Sequence, residues 1–156
     1  MQQHHYKTTI TWTGNTGTGT SGIKAYERDH IISVEGKPDI VGTSEVSLLG
    51  NRLRYNPEEL LLAAVSACHM LWYLYLCARD GIVVTAYEDR AAGTMENTAN
   101  GGGRFTGITL RPAITISGAI DEEHLGRLQH EANSLCYIAN SCNFPIGHEA
   151  SYSQAV

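Results

Sequence analysis

The chain has 156 residues, one domain's worth, and 42% of them are apolar, which is enough for a core and excludes disorder. Charged residues make up only 17%, and 16 acids against 11 bases leave a net charge of −5. The bases stand singly along the chain, whereas a surface for nucleic acid needs clustered Lys and Arg against the phosphates. So few charges in so small a domain suggest that part of its surface is hidden, as self-association would hide it.

Residues 6–13 (YKTTITWT) alternate, with Ile10 and Trp12 on one face, and predict a strand. A Gly/Thr loop over 14–22 leads to a second strand-like stretch from Ile23 to about Val34. Residues 35–56 are polar and turn-rich and predict a connection with one short strand near 43–49. The strongest element follows. Asn56 is placed to cap a helix, Pro57 suits its first position, and Glu59 suits the third, where it closes a capping box. From Leu60 to Ala78 no residue is charged, and Asp80-Gly81 supplies the stop. Residues 82–96 and 104–118 then read as two long strands joined by NTANGGG. In the second, Ile108, Leu110, Ile114 and Ile116 share one face. A second helix starts at Asp121-Glu122-Glu123, acidic where the helix dipole favours it, and carries the stripe Leu125, Leu128, Ala132, Leu135 and Ala139. Phe144-Pro145-Ile146 ends it, and a short strand closes the chain. The order βββ-α-ββ-α-β predicts an α+β domain over 1–156.

The uncharged run 60–78 has the length of a membrane span. Ser66 and His69 interrupt it, caps of the soluble type bound it, and no basic cluster flanks it. We therefore expect a buried helix, no membrane association, and a homodimer whose core supplies the missing cover.

The four cysteines are Cys68, Cys77, Cys136 and Cys142. The opening MQQHHYKTTITW lacks a basic segment followed by an apolar one, so the expected compartment is the reducing cytoplasm. There a cysteine is core filler, metal ligand or reactive thiol. With eight residues between the first two and five between the last two, no CxxC pair exists, so an active pair would be assembled across the fold. Cys68 lies mid-helix, away from the thiolate-stabilising field of a helix N-terminus, and activation would need a cation from another segment. Cys77, about half a turn out of phase with it, reads as core. Cys136 borders the second helix's stripe; it is either core or the partner of Cys68. Gly17–Gly22 spells GxGxxG after a strand, but no helical stripe follows, so a hairpin loop is expected rather than a dinucleotide site. His124 and His130 are six apart and face differently, which argues against a zinc pair. His69 points about 100° from Cys68 and does not serve as its base directly. Glu58, ten positions before Cys68, is about 15 Å from it along one helix, so it would act on Cys68 only from a second, antiparallel copy.

Asn56-Pro57-Glu58-Glu59-Leu60-Leu61, the run of small residues into Ala67-Cys68, and Cys136-Tyr137-Ile138-Ala139-Asn140 together resemble the OsmC/Ohr family of thiol peroxidases. The order of elements agrees over nearly the whole chain. The resemblance implies an intertwined homodimer with long central helices wrapped by antiparallel sheets. It also implies reduction of organic hydroperoxides by two cysteines, without metal or other cofactor, in defence against oxidative stress. On that likeness Cys68 is the attacking thiolate, Cys136 the resolving thiol, and Glu58 the carboxylate orienting an activating arginine. Arg28, in Tyr26-Glu27-Arg28-Asp29-His30, is the first choice for that arginine, with Arg52 and Arg54 as rivals. A lipoyl-type dithiol is the implied reductant, and Leu61, Leu62, Met70, Leu71 and Trp72 are expected to line an apolar substrate pocket. The sequence departs from the best-known peroxidase branch at Tyr137, usually Pro there, at His69, usually aromatic, and in its extra Cys77 and Cys142. The sequence leaves two other readings open: a dimeric binding protein for an apolar ligand, and a hot-dog-type thioesterase with Glu58 as base.

Overall fold

The computed structural model describes residues 3–155. Its order is βββ-α-ββββ-α-ββ, an α+β fold that divides into two compact units between Leu61 and Leu62.

In the first unit, β1 (Thr9–Trp12), β2 (His30–Ser33) and β3 (Ile40–Gly42) form an antiparallel sheet, registered from Thr9 opposite Ser33 to Trp12 opposite His30. The second strand is much shorter than the stretch from Ile23 suggests. Segment 14–29 folds back on itself instead, and its carbonyls go elsewhere. The Arg28 guanidinium donates to the carbonyls of Tyr26 at 2.5 Å and Ile23 at 2.6 Å, removing both from any ladder. The Asn15 side chain accepts the N–H groups of Gly17 and Gly19, both at positive φ, so the GxGxxG run is a loop and opens no helix. At Gly14 the returning chain passes so close that a Cβ would lie 1.8 Å from the Glu27 carbonyl oxygen, and only glycine fits. The short third strand lies at Ile40–Gly42, just before the predicted 43–49; Val46–Leu48 is a single 3-10 turn capped by the Glu45 carboxylate.

Helix α1 runs from Pro57 to Arg79. The capping box forms as the sequence predicts: Glu59 N–H donates to Asn56 Oδ1 at 2.8 Å, and Asn56 N–H to Glu59 Oε2 at 3.1 Å. Such a cap is worth about 1 kcal/mol. At the other end Gly81, at φ 73°, lets Ile82 N–H reach the Cys77 carbonyl and Gly81 N–H reach that of Ala78, the paired bonds of a Schellman stop.

The second unit corrects the reading of two long strands. Each is broken, giving β4 (Val83–Asp89), β5 (Ala92–Asn97), β6 (Gly103–Leu110) and β7 (Pro112–Ser117). Pro112 has no N–H to donate, and the N–H of Arg111 is taken by Asp89 Oδ1 at 2.6 Å, so the ladder stops there. The halves enter different sheets, β4-β7-β9 and β5-β6-β8. The C-terminal segment likewise supplies two strands rather than one, β8 (Ile146–His148) and β9 (Ser151–Gln154), which pair in parallel with β6 and β7. Both sheets are therefore mixed rather than wholly antiparallel. Helix α2 (Glu122–Leu135) starts at Asp121, whose carboxylate accepts the His124 N–H at 3.0 Å.

The apolar face read over 104–118 is buried throughout, but the break shares it between two clusters. Ile114 and Ile116 pack with Tyr73, Leu76, Cys77, Leu125, Leu128 and Ala132, while Ile108 and Leu110 pack with Val65. Each Ile, Leu and Val among them contributes about 1.5–3 kcal/mol on leaving water. The same helix α1 is poorly covered elsewhere: only 28% of its most apolar stretch is buried within the chain. By length and composition it would also span a membrane.

Candidate active site

Two of the four cysteines meet in the second unit. All four are free thiols. Cys68 is partly exposed on α1, while Cys136 is fully buried where α2 ends. The helix stops there because Cys136 adopts an extended backbone, its N–H closing on Asn133, and the following 3-10 turn (Ala139–Ser141) begins with Ala139 N–H directed at Cys136 Sγ, 3.4 Å away. The thiol of Cys136 is pushed up to about 11, first by burial and then by the neighbouring Cys68 thiol. At neutral pH Cys136 is thus a protonated thiol beside a more accessible one. Trp72, one turn beyond Cys68, meets Tyr137 edge-on with ring centroids 5.9 Å apart, so aromatic rings flank the pair.

The other two cysteines have no such partner. Cys77 belongs to the first core cluster, and burial raises its thiol. Cys142 packs against the second cluster, and its thiol donates to the Ile138 carbonyl at 3.2 Å. Both are packing residues, as the sequence indicated for Cys77. Among the described residues no group of three His, Cys, Asp or Glu is arranged to hold a metal ion.

His69 does turn away from Cys68. It is 1% exposed, and its Nε2 donates to Oε1 of Gln129 on α2 at 2.7 Å. Its ring stacks on that of His148 at 5.8 Å, and His148 in turn meets His130 at 4.8 Å. Sequence reasoning missed Gln129 and His148 as partners, because nothing in their spacing marks three histidines on α1, α2 and β8 as neighbours. Asp89, also missed, accepts the Ser66 hydroxyl besides the Arg111 N–H, tying α1 to the strand break.

In the first unit a cavity of about 350 Å³ is lined by Trp12, Tyr26, Arg28, His30, Leu48 and Glu58 among others. None of Leu61, Leu62, Met70, Leu71 or Trp72, the expected pocket residues, lines it. Arg28 and Glu58 thus face one space, although no ion pair joins them among the described residues: the guanidinium lies 4.2 Å from the Tyr26 ring centroid and binds the two carbonyls already described. One carboxylate oxygen of Glu58 is buried without a protein partner. Of the rival arginines, Arg54 is engaged by Asp29 at 3.3 Å, and Arg52 does not line the cavity.

These features sit in a fold shared with known proteins. Over 96% of this chain and 100% of the other, it superposes on an OsmC-like protein of unknown function from Vibrio cholerae with a TM-score of 0.86 and 26% identity. An organic hydroperoxide resistance protein from Elizabethkingia anophelis, crystallised with thiocyanate bound, matches at a TM-score of 0.66 and 20% identity, over 99% of this chain and 100% of that one. A putative organic hydroperoxide resistance protein from Vibrio cholerae, with captopril in one of its active sites, matches at 0.63 and 19%, over 96% and 93%. No curated protein matches the chain. The description of the OsmC-like protein family matches residues 50–150, which include α1, Cys68 and Cys136, and the chain belongs to that family.

Proposed function

We propose that the protein is a thiol peroxidase that reduces organic hydroperoxides to alcohols. The observation that carries this reading is the apposition of two free thiols from separate helices, one accessible and the other buried and protonated. Such a pair divides the work as a two-step reduction requires. The Cys68 thiolate attacks the terminal peroxide oxygen, the O–O bond breaks, and the departing alkoxide takes a proton to become the alcohol. Cys68 is left as a sulfenic acid. The Cys136 sulfur then attacks the Cys68 sulfur, water leaves, and a disulfide results. An external dithiol, lipoyl-type on the family likeness, returns both thiols.

Arg28 and Glu58 are the proposed activating pair, supported by their shared cavity. Arg28 holds the thiolate form of a Cys68, and Glu58 orients Arg28. The apolar wall of that cavity (Trp12, Leu48 and the Tyr26 ring) favours a hydroperoxide with a fatty or aryl tail over hydrogen peroxide. Because Glu58 and Cys68 lie ten residues apart on one helix, the complete site is assembled in a homodimer.

The test is direct. After one equivalent of cumene hydroperoxide, peptide mapping is expected to find Cys68 linked to Cys136 in nearly every chain, with Cys77 and Cys142 still free. Absence of that linkage, with the peroxide consumed or not, sinks the proposal.

A further inference from the structure

Besides its thiols, the second unit buries a polar cluster that the proposed reaction does not use. It consists of His69 and Gln129, each 1% exposed, with His148 half-buried and His130 exposed at the outer end. His69 directly follows Cys68 on α1, and Gln129 lies two turns before Cys136 on α2. Their 2.7 Å hydrogen bond is a buried polar tie between the two helices that bring the thiols together, besides the exposed ion pair of Arg79 with Glu131. With His69 Nε2 donating to the Gln129 carbonyl oxygen, His69 Nδ1 and Gln129 Nε2 are left buried without protein partners. A cationic His69 would keep its donor to Gln129, but it would bury a charge and a second N–H, on Nδ1, with no acceptor to meet it, so acid strains the tie through burial.

What faces this cluster decides its response to acid. His148 on β8 stacks on His69 with an interplanar angle of 27°, and His130 on α2 approaches His148 edge-on. The register partner of His148 on β6 is Leu110, which carries no charge. Glu149, the next residue, is turned to Arg111 at 3.0 Å. Asp89 is an acid that acts on His69, and it is already committed to Ser66 and Arg111. A positive charge on His148 would thus lie against the His69 ring with little to offset it.

We propose that His69 and Gln129 form a clasp positioning Cys68 against Cys136, and that the stacked His148 and His130 make this clasp loosen on acidification. His69 is a positioning residue, since it acts through the helix that carries Cys68. Burial holds the His69 ring below the ordinary imidazole range; burial and the two flanking histidines do the same to His148. The sign follows: the folded chain binds fewer protons than the unfolded one below the ordinary imidazole value of about 6.5, so the clasp is whole above that pH and weakens below it.

This inference deepens the two-thiol reading and rests on it for its functional meaning, so the test avoids peroxide. Diamide links two thiols as a disulfide, its N=N bond taking up their two electrons and two protons as a hydrazine. The rate of Cys68–Cys136 linkage is measured by peptide mapping from pH 5.5 to 8 in wild type, His148→Gln and His130→Ala. Dividing each variant's rate by the wild-type rate at the same pH cancels the common thiolate fraction. The His148→Gln ratio is expected near one at pH 8 and about threefold at pH 5.5, the scale of relieved like-charge repulsion near a protein surface. His130→Ala, at an exposed position, is expected to rise in the same direction by less, and it decides alone if His148→Gln does not fold. A ratio flat across the range overturns the clasp, as does failure of diamide to link the two thiols at any pH. A rising ratio in a protein that leaves cumene hydroperoxide untouched supports the clasp and removes the peroxidase reading alone.

Discussion

Replacing Cys68 with serine is expected to cut hydroperoxide consumption by on the order of a thousandfold or more, because a serine hydroxyl is barely ionised where a thiolate is required. The contrast with Cys136→Ser makes the result specific. That variant keeps the attacking thiol and loses only the resolving one, so it is expected to consume one equivalent of peroxide rapidly and then stop, with a sulfenic acid trappable on Cys68. Stopped-flow peroxide loss separates the two: no burst for the first, one stoichiometric burst for the second. Undiminished consumption by Cys68→Ser would dismiss Cys68 from the chemistry. The assignment of the two roles rests on their environments. Burial and the adjacent thiol raise Cys136 to about 11, which disfavours its thiolate at neutral pH, while Cys68 is the more accessible of the two.

The second large effect concerns association. Leu71 is 62% exposed and Tyr75 59%, one turn apart on the outer face of α1 in the second unit. Tyr137, which meets Trp72 as Tyr75 does, is also exposed, and monomeric proteins rarely leave so much large apolar surface open. We expect the protein to sediment as a dimer at micromolar concentration. The double variant Leu71→Glu, Tyr75→Glu is expected to weaken the dimer by roughly a thousandfold, since two carboxylates would have to leave water at a packed contact. Sedimentation equilibrium on both proteins checks this, and a monomeric wild type would end the dimer proposal. Peroxidase activity should fall with the dimer, because Glu58 and Cys68 of one chain sit at different levels of one helix.

The elements most legible in the sequence were those whose ends are chemically marked. Asn56, Pro57 and Glu59 announce the start of α1, Gly81 its end, and Asp121 the start of α2, because unpaired N–H and carbonyl groups at helix ends need particular neighbours. Strand breaks were less legible. Alternation continues straight through Arg111-Pro112, and only the tertiary bond from Asp89 shows that the chain changes sheets there. The stretch from Ile23 looked like strand because its residues suit one, yet the Arg28 side chain claims its carbonyls. In the candidate site, Cys68 and Cys136 were singled out through a resemblance rather than through spacing, and their proximity is a fact of three dimensions. The histidine cluster was invisible for the same reason: His69, His130 and His148 belong to three elements far apart in the chain.

The contact of Trp72 with Tyr137 has a consequence for observation. The chain has two tryptophans, and Trp12 belongs to the first unit, where its indole N–H is bound to the Glu27 carbonyl. Trp72 is one turn from Cys68 and packs on the residue next to Cys136. An indole in that place is expected to change its emission when the two neighbouring thiols are oxidised, which would let their state be followed without an attached dye.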